Sequence, residues 1–284
     1  MSAVVLQLIA SALFSGMFAL VKSLGPGFPN SEAAFFRALF GLPAVCWMLR
    51  RGHETLRPRR PWLMAARGLL GAGAMLGFFY ALPRAKLADV TLINRTQPVL
   101  ITLLARLVIK EPAPRLALIS LGLGFGGALL VIKPGFGLLN VPGLVALGAV
   151  VFSALAHLAV RRLNASDTPL LIVFWFTLIV GGVSGLLGVP VFVLPNARQW
   201  LVLAVMGQAA AGGQLLMTTA YGRDTAPVVA AASYASVVYA LVLGLAFWGE
   251  LPDRLALVGG LLIVIAGLVL AWGRRGVLNP PAPL

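Results

Sequence analysis

Ten apolar runs, each near the length that crosses a bilayer, follow one another along this chain with only short breaks between them. They fall at 3–21, 31–49, 62–82, 87–109, 115–132, 141–160, 169–191, 199–219, 227–248 and 254–272. A helix rises ~1.5 Å per residue, so roughly 20 apolar residues cross the hydrocarbon layer with every backbone amide bonded inside its own segment. Ten such helices nearly exhaust the 284 residues and leave no room for a soluble domain. Only 11% of the residues are charged, too few to cover a water-facing surface, and mean hydropathy is +0.97. The expected fold is therefore an all-α membrane protein of ten transmembrane helices.

The breaks carry glycine, proline and charge, as at Gly25-Pro26-Gly27, Arg57-Pro58-Arg59-Arg60-Pro61 and Pro112-Ala113-Pro114. Residues 1–21 have no basic segment before them and read as a retained first span rather than a cleaved signal. The net charge of +14 does not mark nucleic-acid binding, because the basic residues sit at the ends of apolar runs instead of along a helix face. They behave as topology signals. With both termini cytoplasmic, thirteen Lys and Arg fall in inner loops and tail, six fall in outer loops, and Arg37, Arg67 and Arg95 remain inside helices. That bias predicts an inner-membrane protein with its N- and C-termini in the cytoplasm. One cysteine, Cys46, and two histidines, His53 and His157, share no metal-ligand or nucleophile spacing, so neither a metal, a cofactor nor an intramembrane enzyme is expected.

The chain also repeats itself. Lys-Glu-Pro-Ala-Pro-Arg-Leu-Ala-Leu (110–118) and Gly-Glu-Leu-Pro-Asp-Arg-Leu-Ala-Leu (249–257) stand 139 residues apart, and Arg84 and Arg223 match at the same offset. This divides the chain into five-helix repeats at 1–135 and 141–275, with a short tail at 276–284. Five is odd, so the second repeat enters the membrane inverted, which places a solute site between the halves near mid-membrane.

Polar residues inside the runs mark where that site lies. Thr91, Asn94, Arg95, Pro98 and Thr102 share one helical face about 100° wide. Arg95 lies roughly 12 Å into its helix, too deep for easy snorkelling. It either faces solute and water or is held structurally by neighbouring carbonyls. Pro98 removes the amide that would bond the carbonyl of Asn94, so Pro98 is a candidate hinge. At the 139-residue offset Asn94 and Arg95 become Ser233 and Tyr234, a polar pair at matching depth. Tyr234 fits a site residue and a packing aromatic equally well.

Further stripes are Gln7, Ser11, Ser15, Phe18 and Lys22; Ser153, His157 and Arg161; and Gln214, Thr218 and Tyr221. His157 is either a proton carrier or a histidine bonded to a hydroxyl. The candidate substrate-binding set is Asn94, Arg95, Gln214, Ser233, Tyr234, Ser15 and His157, with Arg37, Arg67 and Tyr80 as secondary members. Gly73 and Gly77, like Gly122 and Gly126, have the spacing that lets helices approach closely and the halves rock. Glu111 and Glu250 read as ties between loop and helix end, beside Arg115 and Arg254.

Two five-helix units, each with a loop glutamate after its fourth helix and a glycine-rich fifth helix, resemble the drug/metabolite transporter superfamily of EamA type. Phe-Phe-Arg-Ala-Leu-Phe-Gly (35–41) and Tyr-Ala-Leu-Pro-Arg-Ala-Lys-Leu-Ala-Asp-Val (80–90) carry the same resemblance. The ten-helix layout is similar to bacterial amino-acid exporters of the YddG kind. The resemblance implies a secondary transporter that exports small metabolites, amino acids first among them, or facilitates their passage. The expected partners are that solute and the lipid bilayer, with the chain working as a monomer. A multidrug or cation exporter and a nucleotide-sugar transporter are the alternatives. The first lacks its deep carboxylate here, and the second a larger basic cluster.

Overall fold

The computed structural model describes residues 1–25, 28–81, 93–132, 141–249 and 251–278. Thr91, Arg84, Lys86, Asp89, Lys133, Glu250 and the tail from Asn279 onward lie outside the described residues. Every described element is helical: α1 (Ala3–Ser23), α2 (Asn30–Arg51), α3 (Pro61–Ala81), α4 (Gln97–Val108), α5 (Arg115–Ile132), α6 (Val141–Leu163), α7 (Pro169–Gly188), α8 (Ala197–Arg223), α9 (Ala226–Ala232), α10 (Ala235–Trp248) and α11 (Arg254–Leu278). A single 3-10 turn follows α7 at Val189–Val191.

Seven described stretches are long and apolar enough to cross a membrane, Ala226–Trp248 being one of them although it is split into α9 and α10. The 21-residue α3, the helical stretch that ends in α4, and α11 with its apolar Arg254–Leu270 bring the spans to ten. Helix ends are satisfied locally. The Ser2 hydroxyl accepts the Val5 amide, that of Thr168 accepts the Leu171 amide, and Asn196 and Gln199 form a reciprocal capping box at the start of α8.

Two spans are broken rather than continuous. In the fourth, the Thr96 amide bonds the Ile93 carbonyl at 3.0 Å and the Thr96 hydroxyl bonds the same oxygen at 2.6 Å. Pro98 supplies no amide to the turn before it, so α4 restarts at Gln97. The ninth span was expected to run unbroken through 227–248, and here the structure differs. After α9 the amides of Ser233 and Tyr234 reach back three residues, to Ala230 and Ala231, and those of Ser236 and Val237 do likewise, to Ser233 and Tyr234. The Ser233 and Ser236 hydroxyls bond the Ala230 and Ser233 carbonyls at 2.6 and 2.7 Å. Short-range bonds of this kind tighten the helix and turn it without proline.

The packing interleaves early and late helices. α1 lies along α8, α3 along α6, α2 along α7 and α5 along α11. At the last contact a Cβ on Gly127 would come 2.5 Å from the Gly259 carbonyl, and one on Gly259 equally close to the Gly127 carbonyl. Both positions need the bare glycine backbone. Gly73 and Gly77 receive α6 closely, against Phe152 and Ala149, and α3 runs unbroken through both. The expected pair Gly122 and Gly126 is different: both face open space, and Gly124 and Gly127 make the close approaches instead.

Loops at one end of the bundle are tied together. Arg223 donates to the Met1 carbonyl, the Arg59 amide donates to Asp167, and Arg161 pairs with Glu111 at 2.7 Å. The second Glu111 oxygen accepts the Ala226 amide at the start of α9. Glu111 therefore ties loop to helix end through Arg161 and α9, not through the expected Arg115. At the opposite end Glu32, although in the first turn of α2, is fully buried and accepts the Val193 amide at 2.6 Å.

Candidate substrate site

The two broken spans meet. The Tyr234 hydroxyl donates to the Arg95 carbonyl at 2.9 Å, and Arg95 Nη1 donates to the Ser236 hydroxyl at 2.7 Å. Arg95 and Tyr234 are the positions that the 139-residue repeat offset relates, so the equivalent residues of the two halves touch each other. Ser15 of α1 joins the cluster by donating to the Ser236 carbonyl at 3.2 Å. Ser233 lies on the same turn through its bond to Ala230, and Asn94 is half-buried beside Arg95.

Arg95 is not fully used by these contacts. Its Nε is buried without a partner, and no carboxylate among the described residues pairs with it. An arginine near mid-membrane costs ~2.5–3.5 kcal/mol even on the lenient insertion scale, so a buried donor without a partner there calls for an explanation.

His157 of α6 sits half-buried next to the break. Its Nδ1 lies 2.7 Å from the Ser153 carbonyl and 2.9 Å from the side-chain amide of Gln97. One ring nitrogen cannot donate to a carbonyl and accept from an amide N–H together. An Nδ1–H therefore requires Gln97 to present its oxygen. The histidine is bonded to a backbone carbonyl and an amide rather than to a hydroxyl. Its ring leans on Tyr221, with centroids 5.5 Å apart.

Arg67 and Arg37, the secondary candidates, lie on α3 and α2. The structure brings both to Phe176, Arg67 on its ring and Arg37 in the pocket that it walls. Arg67 is buried, its guanidinium stacks 3.9 Å over the Phe176 ring, and its Nε has no partner. Arg37 lines a narrow pocket with Gly41, Phe176, Thr177, Ala210, Ala211 and Gln214, which has room for little more than a water molecule. Gln214 is buried and its Nε2 is also unpartnered.

Of the α1 stripe, Gln7, Ser11 and Ser15 are buried, whereas Phe18 and Lys22 emerge at the surface. Tyr80, at the end of α3, is exposed. Pro98 is buried and its carbonyl accepts the Thr102 hydroxyl at 2.9 Å. Two residues in the cluster, Ser236 and Gln97, were not singled out from sequence. They stand 139 residues apart, so the repeat offset already paired them as polar positions. Among the described residues no group of side chains could hold a metal ion.

Ten apolar spans, two of them broken where equivalent residues meet around an unspent cation, define a membrane transporter. Comparison with known proteins agrees. The profile of the EamA-like transporter family matches residues 1–133 and again 142–272, and the chain belongs to that family. Its ten helices are two inverted five-helix repeats of that architecture. The chain is 32% identical over 281 residues to the pseudopaline exporter of Pseudomonas aeruginosa, covering 97% of this chain and 98% of the relative. It is 22% identical over 258 residues to the S-adenosylmethionine uptake transporter of Rickettsia prowazekii, covering 89% and 87%. A solved crystal structure at 20% identity superposes with a TM-score of 0.81 over 98% of this chain and 99% of that one, a likeness of fold.

Proposed function

We propose that this transporter exports small carboxylate-bearing metabolites, amino acids or their derivatives, across the bacterial inner membrane by alternating access, or facilitates their passage. Arg95 carries the reading: a half-buried arginine at the meeting of two broken helices, with its buried Nε unpartnered and no carboxylate among the described residues pairing with it. A substrate carboxylate supplies the missing acceptor, while Asn94, Ser233, Gln214 and the Ser15–Ser236 pair offer hydrogen bonds around it. Of the relatives, one takes up S-adenosylmethionine, whose methionine part carries such a carboxylate. That relative imports and the other exports, so direction belongs to gradients and gating rather than to the fold. The cation-exporter reading is weaker. The buried acids Glu32 and Asp167 lie at opposite ends of the bundle and accept backbone amides.

The test pairs transport with stability. Arg95→Lys keeps the charge and loses the planar fork, so initial rates of radiolabelled amino-acid flux in proteoliposomes should fall about tenfold. Arg95→Gln should fall further while its melting temperature in detergent stays at or above wild type, because a neutral amide is cheaper to hold in lipid. A stable Arg95→Gln protein that transports fully would remove Arg95 from the site.

A further inference from the structure

Away from Arg95, the bundle holds a second concentration of unspent donors. Arg67 on α3 stacks on Phe176, the ring that also walls the pocket lined by Arg37 of α2, and no carboxylate among the described residues pairs with either arginine. Like charges held close together in a low dielectric repel. Gly71 is a glycine because a Cβ there would lie 2.6 Å from both Arg67 Nη1 and Phe176 Cε2, so the backbone makes room for the stacked guanidinium. Phe176 has Arg67 on its ring and also walls the pocket that Arg37 and Gln214 line. Arg67 Nε and Gln214 Nε2 are both buried without partners. His157 connects the two regions, being near Arg67 on one side and against Gln97, two residues from Arg95, on the other.

We propose that Arg37 and Arg67, with Gln214 and Phe176, form an anion subsite that takes a second acidic group of the substrate, making the transported class amino-acid derivatives with at least two carboxylates. This rests on the reading that Arg95 meets the first carboxylate. The pocket is narrow in this conformation, and Phe176, which walls it, carries Arg67 on its ring. Entry of the second acidic group replaces repulsion between the guanidinium groups with a shared counter-charge.

The experiment is a thermal-shift titration of the purified full chain with aspartate, glutamate, 2-aminoadipate and 2-aminopimelate, each against its ω-amide. The series varies the spacing between the two acidic groups. For wild type, at least one acid should half-saturate at a concentration about tenfold below its amide. Arg37→Gln and Arg67→Gln should each bring that acid-to-amide ratio close to one. Arg37 is only half-buried, so its variant reports even where Arg67→Gln folds poorly. Arg95→Gln should weaken acid and amide alike. No acid preference at any chain length in wild type would overturn the inference, as would a ratio unchanged in both Arg37→Gln and Arg67→Gln. Undiminished binding by Arg95→Gln would instead overturn the first-carboxylate reading and leave the wild-type acid preference to be judged separately.

Discussion

Gly124 shows how finely one residue can set the site. A Cβ there would lie 2.5 Å from Tyr234 Cδ2, so the ring stands where only a glycine allows it. Gly124→Ala should push the ring off its bond to the Arg95 carbonyl and cost ~1–3 kcal/mol, the usual range for overpacking. Gly122→Ala, two residues away and facing open space, should leave the melting temperature unchanged. Equal melting temperatures for the two variants would contradict this placement. The pair also marks a limit of sequence reading. The GxxxG spacing of Gly122 and Gly126 was visible, but spacing does not say which face of a uniformly apolar helix meets a neighbour, and the packed glycines are Gly124 and Gly127. Arg95 was more legible, because a deep charge among polar residues at helical spacing has few places to go. Arg67 and Arg37 were less so: distance along a helix gives depth, whereas their convergence depends on how α2 and α3 lean.

Among the elements, the described ends of the spans were readable, most of them to within a few residues, because bilayer thickness fixes their length. The breaks were readable only where chemistry announces them. Pro98 signalled the interruption of the fourth span. The ninth carries neither proline nor glycine at Ser233–Tyr234, and turns through serine hydroxyls that take carbonyls three residues back. Serine does the same in unbroken helices, so its presence alone decides nothing. The start of α9 is held by Glu111, which pairs with Arg161 of α6 while accepting the Ala226 amide. Glu111→Gln keeps a weaker acceptor and loses the ion pair at a helix N-terminus, so stability should fall by about 1 kcal/mol. Transport should persist. A stable Glu111→Gln protein that no longer transports would assign the glutamate to the solute path.

For the whole molecule, the repeat was visible as an offset, but which helices pair across it was not. α1 on α8, α3 on α6, α2 on α7 and α5 on α11 each join one family-matched segment to the other, so neither segment has an interior of its own. The contacts that tie Met1, Arg59, Glu111, Asp167 and Ala226 also group these loops at one end of the bundle. The excess of Lys and Arg predicts that this end faces the cytoplasm. Reporter fusions after Arg60 and after Arg162 should therefore read as cytoplasmic and one after Arg198 as periplasmic. The reverse pattern would invert the orientation.

The contact between Arg95 and Tyr234 bears on the ancestry of the molecule. In a dimer of identical five-helix chains, a residue on the two-fold axis meets its own copy, and an arginine there would face an arginine. A lone cation beside a neutral ring cannot arise under that symmetry. Fusion of duplicated genes lifts the constraint, since each copy of the position then mutates alone. An asymmetric centre of this kind is open to a single chain that carries both repeats and closed to a homodimer of one repeat.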